Sequence, residues 1–435
     1  MLNGYPANDY ARLLRKSEHW TRAQMEAYRD DKLRKLIAYC YENVPYYRRV
    51  MDREKIKPKD IGSAADLIKL PVLTKETVRK YKSELLSSNI SQMSVSWSRT
   101  GGTTGEPMQI CKDRDGSAWA SMCYERGLGW GGLGPEERRV SLFGGTLGID
   151  RSSFVKRLAT KIRGDLFLPA FELRADTAAT FFNRIHRSKG RFLIGYASAI
   201  YRLARLAEET DRKVHFDAVF PTAELLLPEW EETIRKVFTC EVMPYYGCGE
   251  VNSLGYSRPA SSCYFIPEEH VIIEVLQRDG SSGLSGDGAF VITDLDNYAM
   301  PLIRYVNGDA GKVSYSCDGC SPFSQIERLD GRYNSLLLTD TGDLISGVIC
   351  THIFRHFPSV RTYRVIQEAP LHVVITIVPE PSYGTKDENL ILGLFARHLG
   401  GRTKIAIQKA SHIDAPPSGK SIFVINRCLP LPVQR

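Results

Sequence analysis

Four short stretches of this chain carry residue types suited to an anionic, oxygen-rich ligand. The first, "SRTGGTTGEPM" at 98–108, sets Gly101, Gly102 and Gly105 among Thr100, Thr103 and Thr104. Glycines permit positive φ, so successive amide N–H groups can converge on an anion, and the threonine hydroxyls add donors. No Gly-Lys-Ser/Thr follows, so this is not a Walker loop, and in isolation it reads equally as a flexible linker. The second, "PYYGCGEVN" at 244–252, ends an apolar strand with Tyr245 and Tyr246, turns at Gly247 and presents Glu250. It offers a stacking face for a base and a carboxylate for Mg²⁺; the competing reading is core tyrosines and a surface glutamate. The third, "MPLIRYVNGDAG" at 300–311, places Asp309 where it can accept hydrogen bonds from a ribose diol, or serve only as turn chemistry. The fourth, "APPSGKSIFVINR" at 415–427, offers Lys420 after a Pro-Ser-Gly loop.

A fifth group points to a metal. Cys263 and His270 in "CYFIPEEH", with Cys317 and Cys320 in "CDGC", form two pairs flanking a strand-rich segment. Three thiolates and an imidazole match a closed tetrahedral Zn²⁺ site, structural because no coordination position stays open. The alternative is four reduced, separately buried side chains. His186, His215, His352 and His356 lack an acid or nucleophile partner and read as core or surface. Trp119, Tyr124 and Trp130 follow the glycine-rich loop on a helix and read as core packing. "FGGTLG" at 143–148 is a candidate floor for a carboxylate substrate.

These groups need elements to hold them. Leu33, Leu36, Ile37, Cys40, Tyr41 and Val44 recur at helical spacing, and Pro45 ends the run before a second helix. From about 139 to 250, short apolar strands ("RVSLFGG", "RFLIGY", "DAVFPTA", "EVMPYYG") alternate with helical segments, which implies an α/β layer with a mostly parallel sheet. Glycines and polar groups recur at the strand ends, where ligands sit in such sheets. Between 264 and 315 the pattern becomes strand-rich and predicts a smaller β subdomain. After "LDGRYN" come strands near 335, 362 and 371, a helix over about 386–398, and strands near 404 and 422. That is an α+β unit small enough to move as a lid. The division is 1–329 for a nucleotide- and substrate-binding domain and 330–435 for a lid domain.

Bulk properties narrow the classes. A chain of 435 residues exceeds one ordinary core, and 43% hydrophobic with 25% charged residues is a soluble globular composition. No apolar run approaches a membrane span, and the N-terminus lacks a basic stretch followed by an apolar block. The expectation is a cytoplasmic protein with no membrane partner. A net charge of +8, scattered among acids, suits anionic small molecules and argues against a nucleic-acid partner. Ten cysteines without a leader read as reduced thiols rather than a disulfide framework.

In order and separation, the four stretches resemble the adenylate-forming enzymes, which include acyl-CoA synthetases, luciferases and adenylation domains. The likeness is greatest to the phenylacetate–CoA ligase group and its capsular-polysaccharide-type relatives. It also includes "LIAYCYENVPYYRRV", "IGYASAIYRLARLAEE" and "GAFVITDLDNYAMPLIRYVNGDAG". The resemblance implies a large N-terminal α/β domain with a β-rich subdomain and a small mobile C-terminal α+β domain. It implies ATP and Mg²⁺ as cofactors, a small carboxylic acid as substrate, and CoA as acceptor in the leading reading. An amine or hydroxyl acceptor, giving an amide or ester, is the alternative, and a silent nucleotide-binding scaffold a third reading. Thr100 to Gly105 would hold the ATP phosphates; Tyr246, with Tyr245 and Gly247, would face adenine. Glu224 in "PTAELL" would line the nucleotide pocket, Glu250 would hold Mg²⁺, and Asp309 the ribose hydroxyls. Arg332 would meet the nucleotide at the domain junction, and Lys420 would bridge the substrate carboxylate and the α-phosphate. Some members hold structural zinc at the cysteine–histidine set, and a homodimer fits the group. Two departures stand out: Glu106 replaces a frequent lysine, and "GRYNSLLLTDTGDLIS" lacks the acidic pair and CoA-side pattern.

Overall fold

The computed structural model describes residues 7–99, 108–144, 164–315, 321–354, 356–414 and 423–428. Thr21 starts the first long helix by a capping box with Gln24, and the helix runs Arg22–Asn43 before Pro45 opens the next, Pro45–Arg53. Met25, Leu33, Leu36, Ile37 and Cys40 line its buried stripe, as the spacing predicts.

The alternating middle of the chain forms the expected parallel sheet. Its five strands lie in the order Leu166–Pro169, Arg139–Phe143, Phe192–Tyr196, Ala218–Thr222, Glu241–Val242, and all pair in parallel. Helices Ala178–Ser188, Ala197–Glu209 and Pro228–Phe238 connect consecutive strands.

The β-rich part is larger than the 264–315 window suggests. Eight antiparallel strands form one sheet, ordered Ser282–Gly283, Val271–Leu276, Gly286–Asp294, Tyr305–Ser314, Gln325–Arg332, Tyr264–Phe265, Asn252–Tyr256, Tyr245–Cys248. Tyr245–Cys248, which reads from sequence as the end of the α/β series, is its terminal strand. Register shifts interrupt the pairing on both sides of Tyr305–Ser314, and such bulges increase local twist.

The C-terminal unit has a four-stranded sheet ordered Lys404–Lys409, His372–Pro379, Val360–Ala369, Val424–Asn426, with helices Val348–Phe354 and Thr385–Leu399. Gln367, fully buried, accepts from Leu338 N and donates to Leu338 O, each at 2.8 Å, and so ties the sheet to the strand that enters it. Among the described residues no helix is long and apolar enough to cross a membrane.

The N-terminal helices attach to the antiparallel sheet through a shared apolar core and through buried charge. Arg22 and Arg29 both bind Glu268, at 2.5 and 2.8 Å; Arg126 binds Glu269 at 2.6 Å, and Ser17 also donates to Glu269. Lys32 reaches Asp296 at 2.5 Å. Burial raises the Glu268 pKa, but the Arg22 and Arg29 guanidiniums outweigh it, so its carboxyl titrates below the ordinary glutamate range. A depressed folded-state pKa stabilises the fold above the unfolded value, and that contribution disappears as pH falls through the folded value. Glu268→Gln should therefore lower Tm at neutral pH and flatten the fall of Tm between about pH 5 and pH 2. Parallel Tm-against-pH curves for the two proteins would refute this linkage.

Candidate active site

The strand pair Val95–Arg99 and Gln109–Asp113 brackets the glycine-rich loop, and the antiparallel sheet holds its base. Asp113 caps helix Arg114–Gly129 through Gly116 N at 2.7 Å and accepts from Tyr298 N and Ala299 N at 2.6 and 3.1 Å. Asn297 adds a bond to Cys111 O at 3.0 Å. Thr100, Gly101, Gly102, Thr103, Thr104 and Gly105 themselves lie outside the described residues, as do Lys420, Cys317, Cys320 and 145–148 of the "FGGTLG" stretch.

Three of the sequence candidates meet directly. Tyr246 donates its hydroxyl to Asp309 Oδ2 at 2.7 Å, and Arg332 Nε stands 3.2 Å from Asp309 Oδ1. Asp309 and Arg332 are register partners on adjacent strands. Burial and the Asp309 charge raise the Tyr246 pKa far above the ordinary phenol value, so the hydroxyl keeps its proton. The Asp309 carboxylate raises the Arg332 pKa in turn. Gly308 turns the chain between them at φ 88°, where a Cβ would stand 3.2 Å from Arg332 Nη1.

Glu250 lies beside this group, 5% exposed, and accepts from Tyr305 Oη at 2.9 Å. Two lysines that the sequence did not single out attend it. Lys75 Nζ is 3.8 Å from Glu250 Oε1; its segment is stitched to the sheet by Leu73 N to Arg304 O at 2.8 Å and Val306 N to Leu73 O at 2.9 Å. Lys112 is buried in the field of Asp294, Cys248 and Glu250, and burial lowers its pKa. Neither stands in a spacing pattern; only the fold brings them here.

Glu224 approaches from the parallel sheet. It follows strand Ala218–Thr222 and accepts from Ser198 N at 2.9 Å, at the start of helix Ala197–Glu209, where a carboxylate is favoured. Ala223 before it has φ 65°, a conformation costing about 1–3 kcal/mol for a non-glycine residue. Thr222 Oγ1 donates to Tyr245 O at 3.1 Å and joins the two sheets at this edge. Tyr245 itself is turned away into an aromatic stack with Tyr256, rings 5.9 Å apart.

The metal candidates divide. Cys263 is a free thiol, half-buried, and His270 is fully buried. His270 Nδ1 is 2.7 Å from Asp296 Oδ2 and 3.9 Å from Asp294 Oδ1, while its Nε2 is buried without a hydrogen-bond partner among the described residues. The ligand atoms of His270, Asp294 and Asp296 lie within 4.8 Å of one another, but Lys32 already neutralises Asp296. The carboxylates therefore orient the imidazole.

Comparison with known proteins agrees with this fold. Residues 337–427 match the CapK C-terminal domain. The chain is 24% identical over 313 residues to phenylacetate-coenzyme A ligase of Thermus thermophilus, covering 69% of this chain and 68% of that one. Its fold superimposes on 2-hydroxyisobutyryl-CoA ligase, crystallised with 2-HIB-AMP and CoA, with a TM-score of 0.65 and 16% identity over 94% of this chain and 93% of that one. It also superimposes on the amide bond synthetase McbA of Marinactinospora thermotolerans, TM-score 0.51, 17% identical, over 75% and 66% of the two chains. The fold is that of the AMP-forming ligases of the adenylate-forming superfamily. Within it, the chain is similar in sequence to phenylacetate–CoA ligases, and its residues 337–427 to the CapK C-terminal domain.

Arg304, beside Tyr305 in the same motif, forms a fully buried pair with Glu274 at 3.0 Å. Arg304→Met should cost about 3–5 kcal/mol by leaving Glu274 unpaired, and adding Glu274→Leu should recover part of the loss. Urea unfolding of both variants checks this; a double variant no better than the single would show that the pair is not the cause.

Proposed function

We propose that the enzyme activates a small carboxylic acid with ATP, releases pyrophosphate, and passes the acyl group from the acyl-adenylate to an acceptor. The observation that carries this reading is the Tyr246–Asp309–Arg332 cluster with Glu250 beside it, at the edge where the two sheets meet. Asp309 would accept the ribose hydroxyls, Tyr246 would face the adenine, Glu224 would line the pocket, and the 100–105 loop would hold the phosphates. Glu250 would hold Mg²⁺: its carboxylate is a hard oxygen donor fixed by Tyr305. The ion would supply positive charge to the phosphates.

In the chemical step a carboxylate oxygen attacks the α-phosphorus, the bond to pyrophosphate breaks, and a mixed anhydride forms. Two anions must approach, so orientation and fixed positive charge supply most of the acceleration. Lys420 would bridge the two reacting groups. Lys75, beside Glu250, would add a cation to this region. A nucleophile then attacks the acyl carbon and AMP leaves. CoA is the leading acceptor. An amine or hydroxyl is the second reading, favoured by the junction "GRYNSLLLTDTGDLIS" without its acidic pair and by the likeness to an amide bond synthetase.

Pyrophosphate release from ATP and Mg²⁺ across a carboxylic-acid panel tests the reading, with CoA or hydroxylamine as acceptor. Acid-dependent release is expected, and Lys420→Ala should reduce it by at least about a hundredfold with Tm unchanged. No release with any acid would overturn the proposal.

Cys263, His270, Cys317 and Cys320 would hold a structural zinc. The unpartnered His270 Nε2 supports this, because a metal-binding histidine characteristically donates its other N–H to a carboxylate, here Asp296. Purified protein should contain about one zinc per chain, and Cys317→Ser should release it and lower Tm. Metal-free wild type with full thermal stability would refute the site.

A further inference from the structure

Asn307 was not among the residues the sequence pointed to, yet it touches every member of the nucleotide cluster. Its Nδ2 donates to Tyr246 Oη at 2.7 Å and to Asp309 Oδ2 at 2.8 Å. Its Oδ1 accepts the Asp309 backbone N–H at 3.0 Å, and its carbonyl accepts Arg332 Nη1 at 2.9 Å. The side chain is 1% exposed, so these bonds are its whole environment. Both amide hydrogens and the amide oxygen are used, and only this orientation of the amide satisfies all three partners.

The result is a closed ring. Asn307 donates to Tyr246, Tyr246 donates to Asp309, and Asn307 also donates to Asp309. Asp309 Oδ2 therefore receives two protein donors, which fills its lone pairs. Oδ1 faces Arg332 Nε at 3.2 Å and keeps acceptor capacity. An aspartate without the ring could turn about χ2 and offer both oxygens to the Arg332 guanidinium. That bidentate, charge-assisted pair would outcompete neutral hydroxyls.

We propose that Asn307 is a positioning residue for nucleotide selection: it commits one Asp309 oxygen to the protein and leaves the other for the ribose hydroxyls. Preference for a ribonucleotide over its 2′-deoxy form then depends on Asn307, although Asn307 need not touch the nucleotide. The inference rests on the reading that Asp309 faces the ribose.

Asn307→Ser separates this role from a merely structural one. A serine hydroxyl can still accept the Asp309 N–H and keep the turn, but cannot reach Tyr246 and Asp309 together. Calorimetric titration of the full-length protein with ATP and with 2′-deoxy-ATP, in Mg²⁺, reads the result. The wild type should prefer ATP. The serine variant should keep its Tm, bind ATP about tenfold more weakly, and bind the two nucleotides nearly equally. Tyr246→Phe, which opens the ring without altering the turn, should move the ratio in the same direction and serves if the serine variant does not fold. An unchanged ratio in a folded variant would overturn this inference alone. A wild type that binds neither nucleotide would overturn the adenylation reading and this inference with it.

Discussion

The Tyr246–Asp309 hydrogen bond constrains the rest of the molecule. In sheet order the two strands are four steps apart, which in a flat sheet is about 19 Å at ~4.8 Å per step, far beyond a tyrosine's reach. The sheet must therefore curl until its terminal strand faces its middle. The bulges on both sides of Tyr305–Ser314 supply the twist, and Tyr305 repeats the span through its bond to Glu250. The candidate site exists only because the sheet bends back on itself.

The parallel sheet contributes through its strand ends, as open α/β sheets do. Glu224 there serves as a helix-terminal carboxylate, directly after the strained Ala223. Thr222 holds Tyr245 and with it the terminal strand, so the curl of one sheet is referenced to the edge of the other. On the far side, Lys112 and Asp294 link Glu250 electrostatically to His270, in a buried charged core.

Much of this was legible in the sequence, for reasons that differ by element. The parallel strands and their helices are local patterns, and periodicity alone found them. Tyr246, Glu250 and Asp309 stood out because each adjoins glycine at what reads as a strand end, although Tyr246 and Asp309 lie within strands Tyr245–Cys248 and Tyr305–Ser314. Membership of one eight-stranded sheet was not legible, because pairing of Tyr264–Phe265 with Gln325–Arg332 is a matter of register across a long separation. Asn307 was hidden for the opposite reason: an asparagine before Gly-Asp has an obvious local explanation as a turn residue, and its contact with Tyr246 is non-local. Lys75 and Lys112 have no pattern, and His270's partners, Asp294 and Asp296, lie on another strand and its turn.

The helices at the start of the chain carry a consequence for synthesis. Their arginines find a shared carboxylate, Glu268, only 239 and 246 residues later, and Lys32 finds Asp296 further still. As the chain emerges, Arg22 and Arg29 have only their local partners Glu26 and Asp30, and Lys32 waits for Asp296, while the whole parallel sheet is made. At the usual pace of elongation that wait is of the order of 10–50 seconds. Helix Arg22–Asn43 is thus made long before the carboxylates it docks on, and its buried stripe is the surface that a chaperone would meet in the interval.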